Sequence, residues 1–377
     1  MRTNLTIEDV KPKINELMRE IFHNVPSGVG SKGKIRLTKE ELGEAVTRGV
    51  EWAVEKGYGW KSDIEHCEEN GKIDGGKYEF VSDLAKKRGL PQFGTLGAGN
   101  HFLEVQRVGD ILDETVAKKF GLFRDQVTVM IHCGSRGFGH QVCDDYIKVM
   151  LDASRKYNIE LPDRELCCAP LDSLEAKRYI GGMRCAVNYA FNNRHIIAHW
   201  VRESFEKVFG RKAEEMEMNL VYDVCHNIAK YEEHEVNGQK KMLWVHRKGA
   251  TRAFPPGRPE IPSAYRDIGQ PVLIPGTMGT ASYVLVGTSG GKECWYSTCH
   301  GAGRTMSRHE AIRTHNIEGV KGKLAAKGIV LYATSKEVIL EEAPDAYKDI
   351  DEIVKSVENA GISKIVSKQI PLGVAKG

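Results

Sequence analysis

Near position 300 the chain reads Ser297-Thr298-Cys299-His300-Gly301-Ala302-Gly303-Arg304, a histidine set among small residues and followed by Gly-Ala-Gly and a fixed positive charge. Glycines let a backbone approach a ligand closely and offer its N–H groups to phosphate oxygens. Arg304 could complete such a cradle with a bidentate contact. His300 then stands where a nucleophile or a metal ligand would meet a phosphate. The plainer reading is a surface turn that holds one histidine, because short Gly-rich strings are common. The rest of the chain decides between the two, since it repeats the pattern.

Three more histidines stand beside apolar runs. Gly97-Ala98-Gly99 delivers Asn100, His101 and Glu104 at the start of one run. Its alternation predicts a strand, with His101 and Glu104 on opposite sides unless the turn bends the backbone. Residues 127–131 read as a buried strand that ends in His132 and Cys133, and residues 220–225 as another that ends in His226 and Asn227. One such histidine is most simply a hydrogen-bonded core residue; three of them point to a common task. His101, His132 and His226 are therefore the expected metal ligands, neutral imidazoles suiting manganese, zinc or iron. His195 and His199 are spaced i, i+4 in a long helical pattern from 174 to 209. No acidic residue sits between them as in HExxH, so they read as an ordinary helix face.

The elements that must position these residues follow from periodicity. Thr6 reads as the N-cap of a helix carrying Ile7, Val10, Ile14, Leu17, Met18 and Ile21. A Gly-rich loop over 25–31, basic on its far side, ends it and reads as a connector. A second helix spans about 40–56, followed by a charged stretch over 61–77. His140 begins a helix that runs to about 155, and the 174–209 helix carries Ala186, Val187, Ala190, Ile197, Trp200 and Val201 on its apolar face. The turn over 245–257 packs Arg247, Lys248 and Arg252 together, a candidate polyanion site. Residues 275–283 form a small-residue loop rich in hydroxyls before a strand over 283–286. From 324 onward short strands and helices alternate. No repeat, linker or low-complexity segment divides the chain, so residues 1–377 read as one domain.

Composition narrows the class. An apolar share of 41% with 28% charged residues is that of a soluble globular chain. No run approaches the ~18 apolar residues of a membrane span, and the first residues lack a signal core, so a cytoplasmic location is expected. Nine cysteines without a CxxC pair argue for reduced thiols and against a structural zinc site. A net charge of +3 is too small to advertise a nucleic-acid binder, so any polyanion must be held by a local basic cluster.

The strings GTLGAGNHFLEVQ, IHCGSRGFGHQV, VYDVCHNIAKYEEH, VHRKGATRAFPPG, PVLIPGTMGTASYVLVGT, STCHGAGRTMSR and GVAKG follow one another between residues 94 and 377. In content and order they resemble the RtcB family of RNA ligases, and the likeness runs from about Arg2 to Gly377. The resemblance implies an α+β fold, a single large domain with several mixed β-sheets flanked by helices. It implies a GTP- and manganese-dependent RNA ligase, acting in tRNA splicing and RNA repair. Such an enzyme joins 2′,3′-cyclic phosphate or 3′-phosphate ends to 5′-hydroxyl ends. His300 would be the nucleophile toward GTP, forming a guanylyl-histidine and then an RNA-ppG intermediate. By the same resemblance His101 and His132 would bind one manganese and His226 the other. The guanylate would lie among Asn100, His101, Phe102, Leu103, Glu104, His226, Asn227, Pro275, Gly276, Thr277, Met278, Ser282, His300, Gly301, Ala302, Gly303, Tyr347 and Lys376. Arg136, Arg247, Lys248 and Arg252 would meet RNA phosphates. RNA with such ends (tRNA halves) and archease are the implied partners, and a monomer the implied state.

One departure stands out. The family carries an upstream Asp-x-x-Cys-Gly motif whose cysteine bridges the two metals and whose aspartate binds the second. Met1 stands just after where that motif should end, and Cys133, Cys225 and Cys299 belong to other motifs. His226 alone would then hold the second metal, and apolar surface would lie uncovered. The expectation is an N-terminally incomplete domain, whose activity alone is in question. Two other classes compete with the ligase: a metal-dependent phosphoesterase using the same histidines, and a non-catalytic RNA-binding fragment.

Overall fold

The computed structural model describes residues 1–377. Its strands are β1 (Arg2–Thr6), β2 (Phe102–Ile111), β3 (Gln126–His132), β4 (Asn227–Val236), β5 (Gln239–Lys248), β6 (Ala250–Arg252), β7 (Pro271–Ile274), β8 (Ser282–Gly287), β9 (Ser297–Cys299), β10 (Val330–Ala333) and β11 (Ser363–Lys376). The helices are α1 (Ile7–Val10), α2 (Ile14–Asn24), α3 (Lys39–Arg48), α4 (Val50–Glu55), α5 (Asp83–Gly89), α6 (Glu114–Phe120), α7 (Arg136–Lys156), α8 (Leu174–Phe209), α9 (Arg308–Thr314), α10 (Ile317–Ala326), α11 (Lys336–Glu341) and α12 (Ile350–Asn359). This is an α+β architecture, as expected. A seven-stranded mixed sheet runs β1-β3-β2-β11-β8-β7, and β10 lies parallel to the second half of β11. Two small antiparallel pairs, β4 with β5 and β6 with β9, stand outside it.

Alternation gives the large sheet two unlike faces. Leu103 and Val105 of β2, Val127 and Val129 of β3 and Ala375 of β11 point into the main core, together with Leu17, Met18 and Ile21 of α2 and Ile196, Ile197 and Val201 of α8. The other face carries Glu104, Gln106, Thr128, Ser282, Ser367 and Gln369, all buried and polar. They bond mainly to one another: Gln106 donates to Glu104 (2.6 Å) and Ser282 (3.0 Å), and Thr128 to Gln369 (3.1 Å). Pairing offsets most of the cost of burying these groups, although one Glu104 oxygen is left without a partner. Pro371, which has no N–H to give a ladder, sits where the β11 register shifts.

Helix α8 is 36 residues long and matches its sequence pattern end to end. It is not amphipathic in the way the pattern suggested. Asn188, Asn192, Asn193 and Arg194 are buried with the apolar residues, because Asn188 and Asn192 donate to the carbonyls of Val46 and Ala45 in α3, and Asn193 and Arg194 to those of Thr95 and Cys133 in loops packed around the helix. The first predicted helix is split: Pro12 lies in a 3-10 turn over Lys11–Lys13 between α1 and α2, and Arg2–Thr6 joins the sheet. Thr6 does cap α1, in a box with Asp9. The second breaks at Gly49, whose φ of 63° would strain any other residue.

The expected strand over 220–225 is absent. Only Asp223 makes a bridge there, to Cys67. The Cys225 N–H goes to the Glu68 carboxylate (3.0 Å), and the Val221 carbonyl accepts from the Tyr265 hydroxyl. The segment is largely buried, and its backbone is satisfied by side chains and by the backbone of residues 66–68 rather than by a neighbouring strand.

Candidate functional site

The polar face of the sheet ends in a row across three strands. His132 of β3 pairs with Phe102 of β2, which pairs with Lys376 of β11. A buried strand therefore hands its last side chain to a place already walled on one side. His226 arrives from the irregular 220–225 segment, directly before β4. His300 arrives directly after β9, which β6 holds in place through Ala250 and Cys299. The carbonyl of His226 accepts the Gly249 N–H (2.9 Å), and a side chain at Gly249 would lie 3.5 Å from the His300 ring. One turn thus ties the two histidines together.

The rings of His226 and His300 stack in parallel, with centres 4.4 Å apart. That of His132 lies 5.1 Å from His226 and 5.8 Å from His300. One nitrogen from each of the three lies within 4.8 Å of the others. His101 sits to the side, in the loop before β2 rather than in the strand. Its ring centre is 6.0 Å from that of His132. Gly97 makes room for it, since a Cβ there would fall 1.7 Å from His101 Nδ1. Burial pushes the pKa of His101 and of His226 down to about 3, holds that of His132 well below the usual imidazole range, and lowers that of His300. All four are neutral at physiological pH, the form that ligates metal or attacks phosphorus. His132 Nε2 is buried and has no hydrogen-bond partner. Three neutral imidazoles, among them His132 with its unpartnered Nε2, converge in a way that suits one divalent cation.

Beyond the histidines the expected guanylate residues line a second region. The Gly301 turn lies against the Pro275 carbonyl. Ser282 accepts the Gly276 N–H (3.0 Å), and Thr280 accepts that of Thr277 (2.8 Å). Phe102 and Met278 share an apolar cluster. The buried Lys376 ammonium donates to the Gly99 carbonyl (2.9 Å) and to Glu342 (3.3 Å). Tyr347 forms an isolated bridge with Arg304, next to Gly303. Asn227 is exposed at the site's rim, its Oδ1 accepting the Gly249 N–H (3.0 Å). Glu104 is wholly buried, one carboxyl oxygen has no partner, and burial raises its pKa to about 8.

Four arginines stand elsewhere than expected. Arg304 does not cradle a ligand: its guanidinium donates to Glu342, Tyr347 and the carbonyls of Met306 and Glu341. Arg136 is buried and donates to Thr95 and the Gly28 carbonyl. Arg247 is clamped in a bidentate pair with Glu232 (2.8 and 2.9 Å). Arg252 is 1% exposed and meets Glu69 (2.7 Å), with Glu68 and Glu232 close by. Of the proposed RNA contacts only Lys248 faces solvent. His195 and His199 belong to α8 as read: they take the Tyr58 carbonyl and the Gly59 N–H.

Residues 1–377 match the family described as tRNA-splicing ligase RtcB. The tRNA-splicing ligase RtcB of Thermococcus kodakarensis is 55% identical over 378 residues, which are 100% of this chain and 78% of that protein. That of Archaeoglobus fulgidus is 57% identical over the same shares, and that of Pyrococcus abyssi 55% identical, the match covering 41% of its length. The chain belongs to the RtcB family.

Within this RtcB-family chain, Asn193 and Arg194 were not read from the sequence. Asn193 fixes the loop before His101 and the one after His132, accepting the N–H groups of Gly94 (2.8 Å) and Thr95 (3.0 Å) and donating to Gly134 (3.1 Å). Arg194 donates to the carbonyl of Cys133 (3.2 Å), next to His132, and pairs with Asp223 (2.6 Å), three residues before His226. The signal was an Asn-Asn-Arg run inside the largely apolar middle of the helix.

Proposed function

We propose that the chain is a GTP- and manganese-dependent RNA ligase that joins 2′,3′-cyclic phosphate or 3′-phosphate ends to 5′-hydroxyl ends. The observation that carries this is His300: a neutral imidazole stacked on His226, on a Gly-Ala-Gly turn beside the Pro275 loop. Membership of the RtcB family supports the same reading.

In this reading a neutral nitrogen of His300 attacks the α-phosphorus of GTP. The N–P bond forms, the bond to the β-phosphate oxygen breaks, pyrophosphate leaves, and the ring gives up its other proton. The phosphoramidate stores the activation. His300 then releases the guanylate to an oxygen of the RNA 3′-phosphate, and the N–P bond breaks. The 5′-hydroxyl attacks that 3′-phosphorus and expels GMP, its proton passing to solvent. A cyclic phosphate is first opened by water to the 3′-phosphate. His132, His226 and His101 would hold manganese, which when bound neutralises phosphate charge and orients in-line attack. The stack with His226 keeps the His300 ring from turning away. Lys376 and Glu104, buried on the sheet's polar face, would address the guanine or its surroundings, with Ser282, Tyr347 and the Pro275–Met278 loop around it. Archease as an activating partner and a monomeric chain go with this reading.

Intact-mass analysis after incubation with GTP and manganese tests it. A GMP adduct on this chain and none on His300→Ala is the expected result. No adduct on either, with salt-dependent RNA binding, would replace the ligase by a binding protein. Hydrolysis of RNA phosphates without any labelled adduct from α-labelled GTP would replace it by a phosphoesterase.

A further inference from the structure

The hairpin of β4 and β5 leaves the body of the protein at the site itself. Asn227 and Lys248 pair at its root, and Gly249, next in the chain, lies against His300. Alternation gives the hairpin two faces. One is turned inward and carries Ile228, Lys230, Glu232 and Arg247, all buried. The other carries Tyr231 from β4, and Lys248, His246 and Trp244 from β5.

On that outer face Tyr231 and Trp244 stand directly opposite, with ring centres 5.6 Å apart. Tyr231 is 53% exposed. The Arg184 guanidinium, from α8, lies 5.9 Å from the Trp244 ring centre. A cross-strand aromatic pair steadies a hairpin, yet steadying does not call for leaving Tyr231 in water and Trp244 only half-buried beside the cations Arg184 and Lys248. The half of the face nearest the site holds Lys248 and His246, and its two strands present no carboxylate there. Glu233 and Glu235 come only further out, towards the turn. Aromatic rings interleaved with cations are what a single-stranded nucleic acid needs, a π-face for bases and positive charge for phosphates.

We propose that this outer face is the track for the RNA strand whose 3′ end is joined at His300. Bases stack on the Tyr231–Trp244 pair, and phosphates meet Lys248 and Arg184. The proposal rests on the ligase reading for what happens at the strand's end. Tyr231 lies four residues from Asn227, about 14 Å along the strand. That is about four nucleotides at stacked spacing. Charge complementarity and continuity with the site single out RNA as the occupant.

The test uses this chain and an oligoribonucleotide ending in a 3′-phosphate, with 5-iodouridine placed at each of the last eight positions in turn. Photocrosslinks from about the third to the fifth position, mapped by mass spectrometry to Tyr231 or Trp244, are expected. Tyr231→Ala with Trp244→Ala should weaken binding of the same oligonucleotide by ten-fold or more in fluorescence anisotropy. Should that pair fail to fold, Trp244→Phe and Trp244→Leu decide: Phe keeps a stacking face and should retain binding, and Leu should lose it. Crosslinks elsewhere, or equal affinity of the Phe and Leu variants, would overturn the track. Adduct formation at His300, measured without RNA, separates the two readings. Its absence from the parent overturns the ligase and leaves the track to be judged by the crosslinks.

Discussion

Two buried polar regions lie side by side and differ in how their groups are satisfied. Beneath the hairpin, Glu68, Glu69 and Glu232 meet Lys230, Arg247 and Arg252. Lys230 reaches Glu68 at 2.8 Å and Glu69 at 2.9 Å, and none of these charged atoms lacks a partner. In the histidine site and on the sheet face behind it, four imidazoles stand together without an acidic neighbour to pair them, and His132 Nε2 and one Glu104 oxygen are orphaned. A closed network fixes shape and has nothing left to offer. An open one retains donors and acceptors at a cost in stability, which a ligand can offset. The sequence reading assigned the basic turn to a polyanion; its arginines belong to the closed network.

That contrast can be broken by substitution. The largest effect is expected from His300→Ala, which should abolish the GMP adduct in intact-mass analysis while leaving the thermal midpoint nearly unchanged. On the closed side Arg252→Met should cost about 3–5 kcal/mol in urea unfolding, because it leaves the two buried carboxylates of Glu68 and Glu69 to share Lys230 alone. His132→Ala, on the open side, should cost far less and weaken manganese binding in calorimetry. Arg194→Met lies between the two regions. It should lower stability by a few kcal/mol and also weaken manganese binding, since it frees the carbonyl beside His132 and strands the Asp223 carboxylate in the segment that leads to His226.

The most specific effect concerns pH. Folding raises the pKa of Glu104 from 4.5 to about 8 through burial. The folded chain therefore keeps a proton that the unfolded chain loses above 4.5. The resulting stability is complete below 4.5 and is lost as pH rises through 8. Without ligand, the thermal midpoint of Glu104→Gln should gain on that of the parent between pH 5 and pH 8. A constant difference across that range would mean that Glu104 stays ionised.

Much of the site's framework was legible. Residues 127–131 made a strand that ends at His132, and the 174–209 helix kept its bounds, because in both cases local pattern and burial agree. The strand over 220–225 was misread because an apolar run records burial, not which neighbour supplies the hydrogen bonds. The arginines were misread for a related reason. Glu69 stands 183 residues before Arg252, and nothing in a basic turn reveals carboxylates brought from so far. His300, His226 and Gly249 came together as a tied unit that spacing alone does not express, since the link runs through the β6–β9 pair.

The place of β11 has a consequence for how the molecule is made. This strand sits in the middle of the large sheet, between β2 on one side and β8 and β10 on the other, yet it is the last of the eleven to leave the ribosome. Until residues 363–376 emerge, β2 presents an open edge and the sheet exists only as separate halves, a state prone to wrong pairings. Lys376 reaches the site in the same event. The site therefore cannot form until β11 has been made and has entered the sheet.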